Sequence, residues 1–148
     1  MNDQQYMSFA VKEAQKALLS GEVPVGAVII YRDTIIAAAH NLCETQNDAT
    51  NHAEILAIKK ASQIPKNWRL TGCTLYVTIE PCPMCAGAIV NSRISRVVYG
   101  SPNPLYGGID SNFGIGRNSL DPHFSVTRNI MAGDCQKLMD LFFKSQRK

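Results

Sequence analysis

Two short runs thirty residues apart, Asn51-His52-Ala53-Glu54 and Pro81-Cys82-Pro83-Met84-Cys85, supply an imidazole, a carboxylate and two thiols that any fold of this chain has to accommodate. Three nitrogen and sulfur donors of this kind hold zinc at about 2.0 to 2.3 Å and leave the fourth tetrahedral position to water, the open arrangement of a catalytic site. Glu54 stands two positions past the histidine, too close in sequence to ligate comfortably beside it. Its carboxylate is placed instead to take a proton from that water and hand it on. Each run also has an ordinary explanation by itself. Asn51 and Glu54 have the spacing of a helix-opening capping box. Cys82-Pro83-Met84-Cys85 after an apolar strand has the form of a thiol redox motif at a helix start. The two runs together favour His52, Cys82 and Cys85 as metal ligands and Glu54 as the proton carrier.

A chain of 148 residues is large enough to form one domain, residues 1 to 148, with a core that needs no staple. A hydrophobic content of 45% with 18% charged residues excludes a disordered chain. No apolar run approaches the roughly eighteen residues of a membrane span. Met1-Asn2-Asp3-Gln4-Gln5 lacks the charged and apolar regions of a signal peptide, so a cytoplasmic location is expected. Five cysteines without a disulfide-like framework agree with a reducing compartment, with Cys43, Cys73 and Cys135 as ordinary thiols. The net charge of +3 is concentrated at one end: Lys137, Lys144, Arg147 and Lys148 outweigh Asp140, and the rest of the chain balances to zero. A basic tail is commonly a solvated terminus. Facing an RNA, the same residues become candidate phosphate contacts.

Periodicity gives the elements. Apolar residues at helical spacing predict a helix over residues 3 to 20, with Gly21 as its stop. Val25 to Tyr31 and Thr34 to Ala39, joined by Arg32-Asp33, predict a hairpin whose second strand runs into His40-Asn41. A polar loop follows, then a helix from His52 to about Ser62 with His52 and Glu54 in its first turn, where the helix dipole favours an ionised carboxylate. Trp68 and Leu70 in the next connection are expected in the core. Cys73 to Ile79 predicts a central strand, Cys82 to about Ser92 a helix carrying both cysteines on its opening turn, and Arg96 to Tyr99 a fourth strand. Gly100 to Pro122 holds five glycines and three prolines, a long irregular connection of the kind that is functional or mobile. An edge strand over His123 to Thr127 and a last helix from Met131 or Gly133 to about Ser145 complete the chain. Two ligand-bearing helices on a mixed sheet of five strands predict a three-layer α/β/α fold.

His52-Ala53-Glu54 followed by Pro81-Cys82-Pro83-Met84-Cys85 resembles the H-x-E…P-C-x-x-C pattern of the zinc-dependent nucleobase deaminases. Gly21 to Val28, His40-Asn41, Trp68-Arg69-Leu70, Thr74 to Glu80, Cys85-Ala86-Gly87-Ala88, Ser92-Arg93-Ile94 and Phe142-Phe143 look like the tRNA-specific adenosine deaminase branch, so the likeness runs from about Tyr6 to the C-terminus. The resemblance implies a cytidine-deaminase-like fold, one Zn²⁺ per subunit, and hydrolysis of adenosine to inosine at the wobble position of a tRNA anticodon. It also implies Asn41, Val25 and Ala53 around the base, a homodimer, and a C-terminal helix reaching the anticodon stem-loop with Phe142, Phe143, Lys144 and Arg147. Anticodon bases are single-stranded and easily splayed outward, which is how RNA is commonly read.

The chain departs from the branch in three places. After Tyr99-Gly100, where an Asp and then a Lys are usual, it has Asn103, Pro104 and Leu105. Asn51 replaces a small apolar residue. Pro83 stands where Val or Ala is usual, a form that also resembles guanine and cytosine deaminases. The alternative is therefore a deaminase of a free base or nucleoside. A rival of another class is a zinc-dependent binding protein without turnover.

Overall fold

The structure is a computed structural model that describes residues 1–117 and 124–146. Among the described residues four helices and five strands follow in the order α1 (Asp3–Leu19), β1 (Gly26–Tyr31), β2 (Thr34–His40), α2 (Ala53–Gln63), β3 (Thr74–Ile79), α3 (Pro83–Asn91), β4 (Arg96–Ser101), β5 (Ser125–Thr127) and α4 (Ala132–Gln146). The strands form one sheet in the order β2-β1-β3-β4-β5. β1 runs antiparallel to both β2 and β3, whereas β3, β4 and β5 are mutually parallel, so the sheet is mixed.

Strand alternation sorts the core into two layers. Ala27 and Ile29 of β1, Leu75 and Val77 of β3, and Val97 and Tyr99 of β4 face α2 and α3. Val28 and Ile30, Tyr76, and Val98 face the other way, toward Met7, Ala10 and Ala14 of α1 and Cys135 and Leu138 of α4. The expected three-layer α/β/α architecture is thus the one observed. On the first face α2 presents Ala53, Ala57 and Ala61, spaced four apart on one side of the helix and all fully buried. These small residues let α2 lie close on the sheet, and a larger side chain at Ala57 would overpack the contact at a cost of about 1–3 kcal/mol.

Local signals set the boundaries. Asn2 and Gln5 form a reciprocal capping box that opens α1. Arg32 and Asp33 both have positive φ and make the two-residue turn between Tyr31 and Thr34. α2 and α3 begin one residue later than expected, so that His52 and Cys82 are their N-caps and not members of the first turn. Asn51 does not cap α2: its Nδ2 donates to Gln46 Oε1 at 2.6 Å. The expectation for Trp68 is corrected. Leu70 is buried, but Trp68 is 52% exposed, its ring covered by the guanidinium groups of Arg69 and Arg93 at 4.2 and 5.7 Å from the centroid. A planar cation lying on an aromatic face replaces burial for that ring. β5 is observed from Ser125; His123, at the start of the expected strand, and Arg147 and Lys148 lie outside the described residues. Among the described residues no helix is long and apolar enough to cross a membrane.

Candidate metal centre and active-site cleft

The two sequence runs converge at the N-terminal ends of α2 and α3. Prolines on either side of Cys82 fix the entry to α3: Pro83 occupies its first turn, where a missing N–H costs nothing, and Cys82 and Cys85 fall on the same side of the helix start. His52 Nδ1 lies 3.5 Å from the Sγ of Cys82 and 3.5 Å from the Sγ of Cys85. The three potential ligand atoms are all within 4.8 Å of one another. Tetrahedral bonding to zinc, with Zn–S about 2.3 Å and Zn–N about 2.0 Å, sets a nitrogen and a sulfur about 3.5 Å apart. The donor types and both nitrogen–sulfur spacings therefore fit that ion, with Nδ1 as the histidine ligand.

The electrostatics suit cation binding. The hydrogen bond from Cys85 holds the Cys82 thiol down, to about 4, against its burial, with a further contribution from His52. Cys85 is displaced upward by its hydrogen bond to Cys82 and by burial. The cluster thus favours negative charge on Cys82 over Cys85, and a divalent cation would favour the thiolate form of both. His52 is raised by its hydrogen bond with Cys82, against burial. Glu54 is 3% exposed and lies beside the Cys85 thiol. Burial pushes its carboxyl up to about 7, the range in which a carboxyl both takes and gives a proton near neutrality.

His52, Glu54 and Cys82 line a cleft of about 860 Å³ together with Val25, Asn41, Leu105, Tyr106, Phe142 and Phe143. Asn41, just beyond the end of β2, accepts the Ala53 N–H on its Oδ1 at 2.8 Å. It thereby satisfies an orphan donor of α2 that the His52 side chain does not. This bond fixes the orientation of the amide and turns Nδ2 into the group available to a ligand. It also commits the Ala53 N–H, leaving Ala53 to act through Asn41. Phe142 is buried and Phe143 is half-exposed, their rings edge to face at 5.3 Å. Lys144 is exposed outside the cleft lining, and Arg147 lies outside the described residues.

Sequence reasoning missed two buried carboxylates. Glu22 accepts hydrogen bonds from the Glu44 N–H, the Thr45 N–H and the Thr45 hydroxyl, which fixes the loop after β2 at one rim of the cleft. Glu80 does the same for the loop after β4, accepting from Asn103, Ile109, Asp110 and Ser111. The signal for Glu80 was an acid ending an otherwise apolar strand and followed directly by proline.

A model of the MafB19-like deaminase family matches residues 1–144. The tRNA-specific adenosine deaminase of Streptococcus pyogenes serotype M1 is 44% identical over 144 residues, covering 97% of this chain and 84% of that protein. The tRNA-specific adenosine deaminase of Bacillus subtilis strain 168 is 44% identical over 147 residues, covering 99% of this chain and 91% of that protein. Among solved structures, one from work on A-to-I editing by tRNA:A34 deaminases at the wobble position of transfer RNA superposes with a TM-score of 0.87 at 36% identity, covering 90% of this chain and 98% of that one. The guanine deaminase of Bacillus subtilis superposes with a TM-score of 0.66 at 40% identity, covering 69% of this chain and 66% of that one. With the family model and relatives spanning nearly its whole length, the chain belongs to the MafB19-like deaminases, in the branch of the tRNA-specific adenosine deaminases.

Proposed function

We propose that this protein hydrolyses adenosine to inosine, with release of ammonia, at the wobble position of a tRNA anticodon. The observation that carries the reading is the convergence of His52, Cys82 and Cys85 beside a buried Glu54, at a cleft of about 860 Å³. His52 Nδ1 and the two cysteine sulfurs would hold one Zn²⁺ per subunit, which supplies a water activated for attack at neutral pH. Glu54 takes one proton of the attacking water and delivers it to N1 of the adenine as oxygen adds at C6, then passes the remaining proton of that oxygen to the C6 amino group, which leaves as ammonia. Asn41 donates from Nδ2 to an acceptor on the base, held in register by the Ala53 N–H. Val25 packs against the ring, and Phe142, Phe143, Lys144 and Arg147 on the C-terminal side meet the RNA.

The reading includes a cytoplasmic homodimer. Ile55 on α2 is half-buried and Met84 on α3 is 39% exposed, and neither packs into the two core clusters. Both are apolar side chains near the starts of α2 and α3, available to a second copy. A second reading, deamination of a free base, is favoured by Cys82-Pro83-Met84-Cys85 and by the structural likeness to guanine deaminase. Incubation with transfer RNA and, in parallel, with guanine, cytosine and adenosine separates the two. Anticodon inosine by mass spectrometry with no ammonia from the small molecules is expected; ammonia from guanine or cytosine alone would overturn the RNA reading.

A further inference from the structure

Glu80 closes β3 and stands two residues before Cys82, yet it plays no part in the metal geometry. Its carboxylate is almost fully buried and turned toward the loop after β4. Oε1 accepts from the Asn103 N–H at 3.1 Å and the Ser111 hydroxyl at 2.5 Å; Oε2 accepts from the N–H groups of Ile109, Asp110 and Ser111 at 3.2, 2.8 and 3.0 Å. The loop also approaches the start of α3 directly. Gly108 donates to Pro81 O at 2.7 Å, and a Cβ on Gly107 would overlap the Glu80 carboxylate. Between these anchors the loop lifts Leu105 and Tyr106, 79% and 68% exposed, along the side of the cleft that holds His52 and Glu54. Four main-chain donors converging on one buried anion anchor the loop in this arrangement.

We propose that Glu80 is a positioning residue for substrate: it holds residues 103–111 as a preformed wall, against which Leu105 and Tyr106 receive the nucleotide beside the reacting one. This rests on the reading of the cleft as an RNA site. Leu105 and Tyr106 offer that nucleotide an apolar and aromatic surface, consistent with Asn103, Pro104 and Leu105 in this loop. Rigid placement lowers the cost of binding without touching the chemical step. Glu80 therefore governs KM more than kcat.

The test compares the wild type, Glu80→Gln, Gly107→Ala and the double variant. Glu80→Gln retains one acceptor oxygen but turns an NH₂ toward main-chain donors, and the methyl group added by Gly107→Ala displaces the loop while leaving the carboxylate in place. In both single variants, zinc content should equal that of the wild type, and KM for tRNA should rise about tenfold with kcat within about threefold. The double variant should be no worse than the worse single one, because both break one contact. Amide exchange at Asn103, Ile109, Asp110 and Ser111 should accelerate at least about tenfold in each. Unchanged exchange, loss of zinc, additive effects, or a fall in kcat at constant KM would overturn the proposal. Should Glu80→Gln fail to fold, Gly107→Ala supplies the same readouts. A wild type that makes no inosine in tRNA refutes the RNA reading instead, and amide exchange then decides by itself whether Glu80 holds the loop.

Discussion

Glu54 and the three ligands show how much a site depends on what each side chain does to its neighbours. Glu54 is buried deeply enough to be pushed up to about 7, so its carboxyl is suited to exchange protons, not to bind metal as a permanent anion. Glu54→Gln keeps the volume and removes the proton transfer. Zinc content, measured by atomic absorption, should be unchanged, while inosine formation falls by about 10²–10⁴-fold. Loss of the metal in that variant would make Glu54 structural, and unchanged turnover would remove it from the mechanism. This part of the site was legible in the sequence because each of the two runs holds its chemical groups within a few positions and only particular residue types can ligate. Glu22 and Glu80 were not legible, because their partners are chiefly main-chain N–H groups, which every non-proline residue carries and which leave no mark in the sequence. Periodicity puts Asn41 at a strand end, where ligand groups tend to sit, and resemblance alone gives it a base to bind; its bond to Ala53 depends on β2 ending beside the start of α2.

The helices and strands were legible almost to the residue wherever one face is buried, since burial enforces a period of two or 3.6. The connections were not, and Trp68 shows why: two arginines from different parts of the fold, Arg69 and Arg93, shield an aromatic ring that sequence hydrophobicity places inside. The β1–β2 turn was legible but is not optimal for its residues. Arg32 at φ 47° and Asp33 at φ 61° adopt the left-handed conformations of a two-residue hairpin turn, which glycine enters without a Cβ penalty. Asp33→Gly should accordingly stabilise the protein by about 0.5–1 kcal/mol, measured as a higher urea midpoint at constant m-value. A lower midpoint would mean that the flexibility glycine adds to the unfolded chain outweighs the relief of strain. On α4, neutralising Lys144 tests the RNA contact inferred for this helix. The logarithm of tRNA affinity should fall with the logarithm of salt concentration, with a slope about 0.7–0.9 shallower in Lys144→Gln than in wild type. Parallel salt dependences would exclude Lys144 as a phosphate contact.

Across the whole molecule, carboxylates tie the sheet to the segments around it. Asp3 binds Arg96 through both oxygens, at 2.9 and 2.6 Å, and accepts from the Tyr76 hydroxyl, joining the start of α1 to β3 and β4. Asp110 binds Arg128 at 2.6 and 2.7 Å and accepts from Tyr99, joining the loop after β4 to the segment after β5. The guanidinium of Arg96 holds the Asp3 carboxyl below its ordinary 3.8, and Arg128 does the same for Asp110. A carboxyl depressed in the folded state binds its proton more readily when unfolded. Its contribution is therefore complete above the unfolded value and disappears as pH falls through the folded one. Both ties are partly exposed, which limits each to about 1 kcal/mol despite the paired geometry. Stability should thus vary little through these groups above about pH 5 and decline below about pH 4. Arg96→Met isolates one tie. Its deficit in urea-unfolding free energy relative to wild type should be largest near neutrality and shrink as pH falls from about 5 to about 3, because protonated Asp3 no longer distinguishes the two proteins. Stability curves that stay parallel across that range would show that Arg96 supports the fold by packing across β3, β4 and β5 and not through its charge.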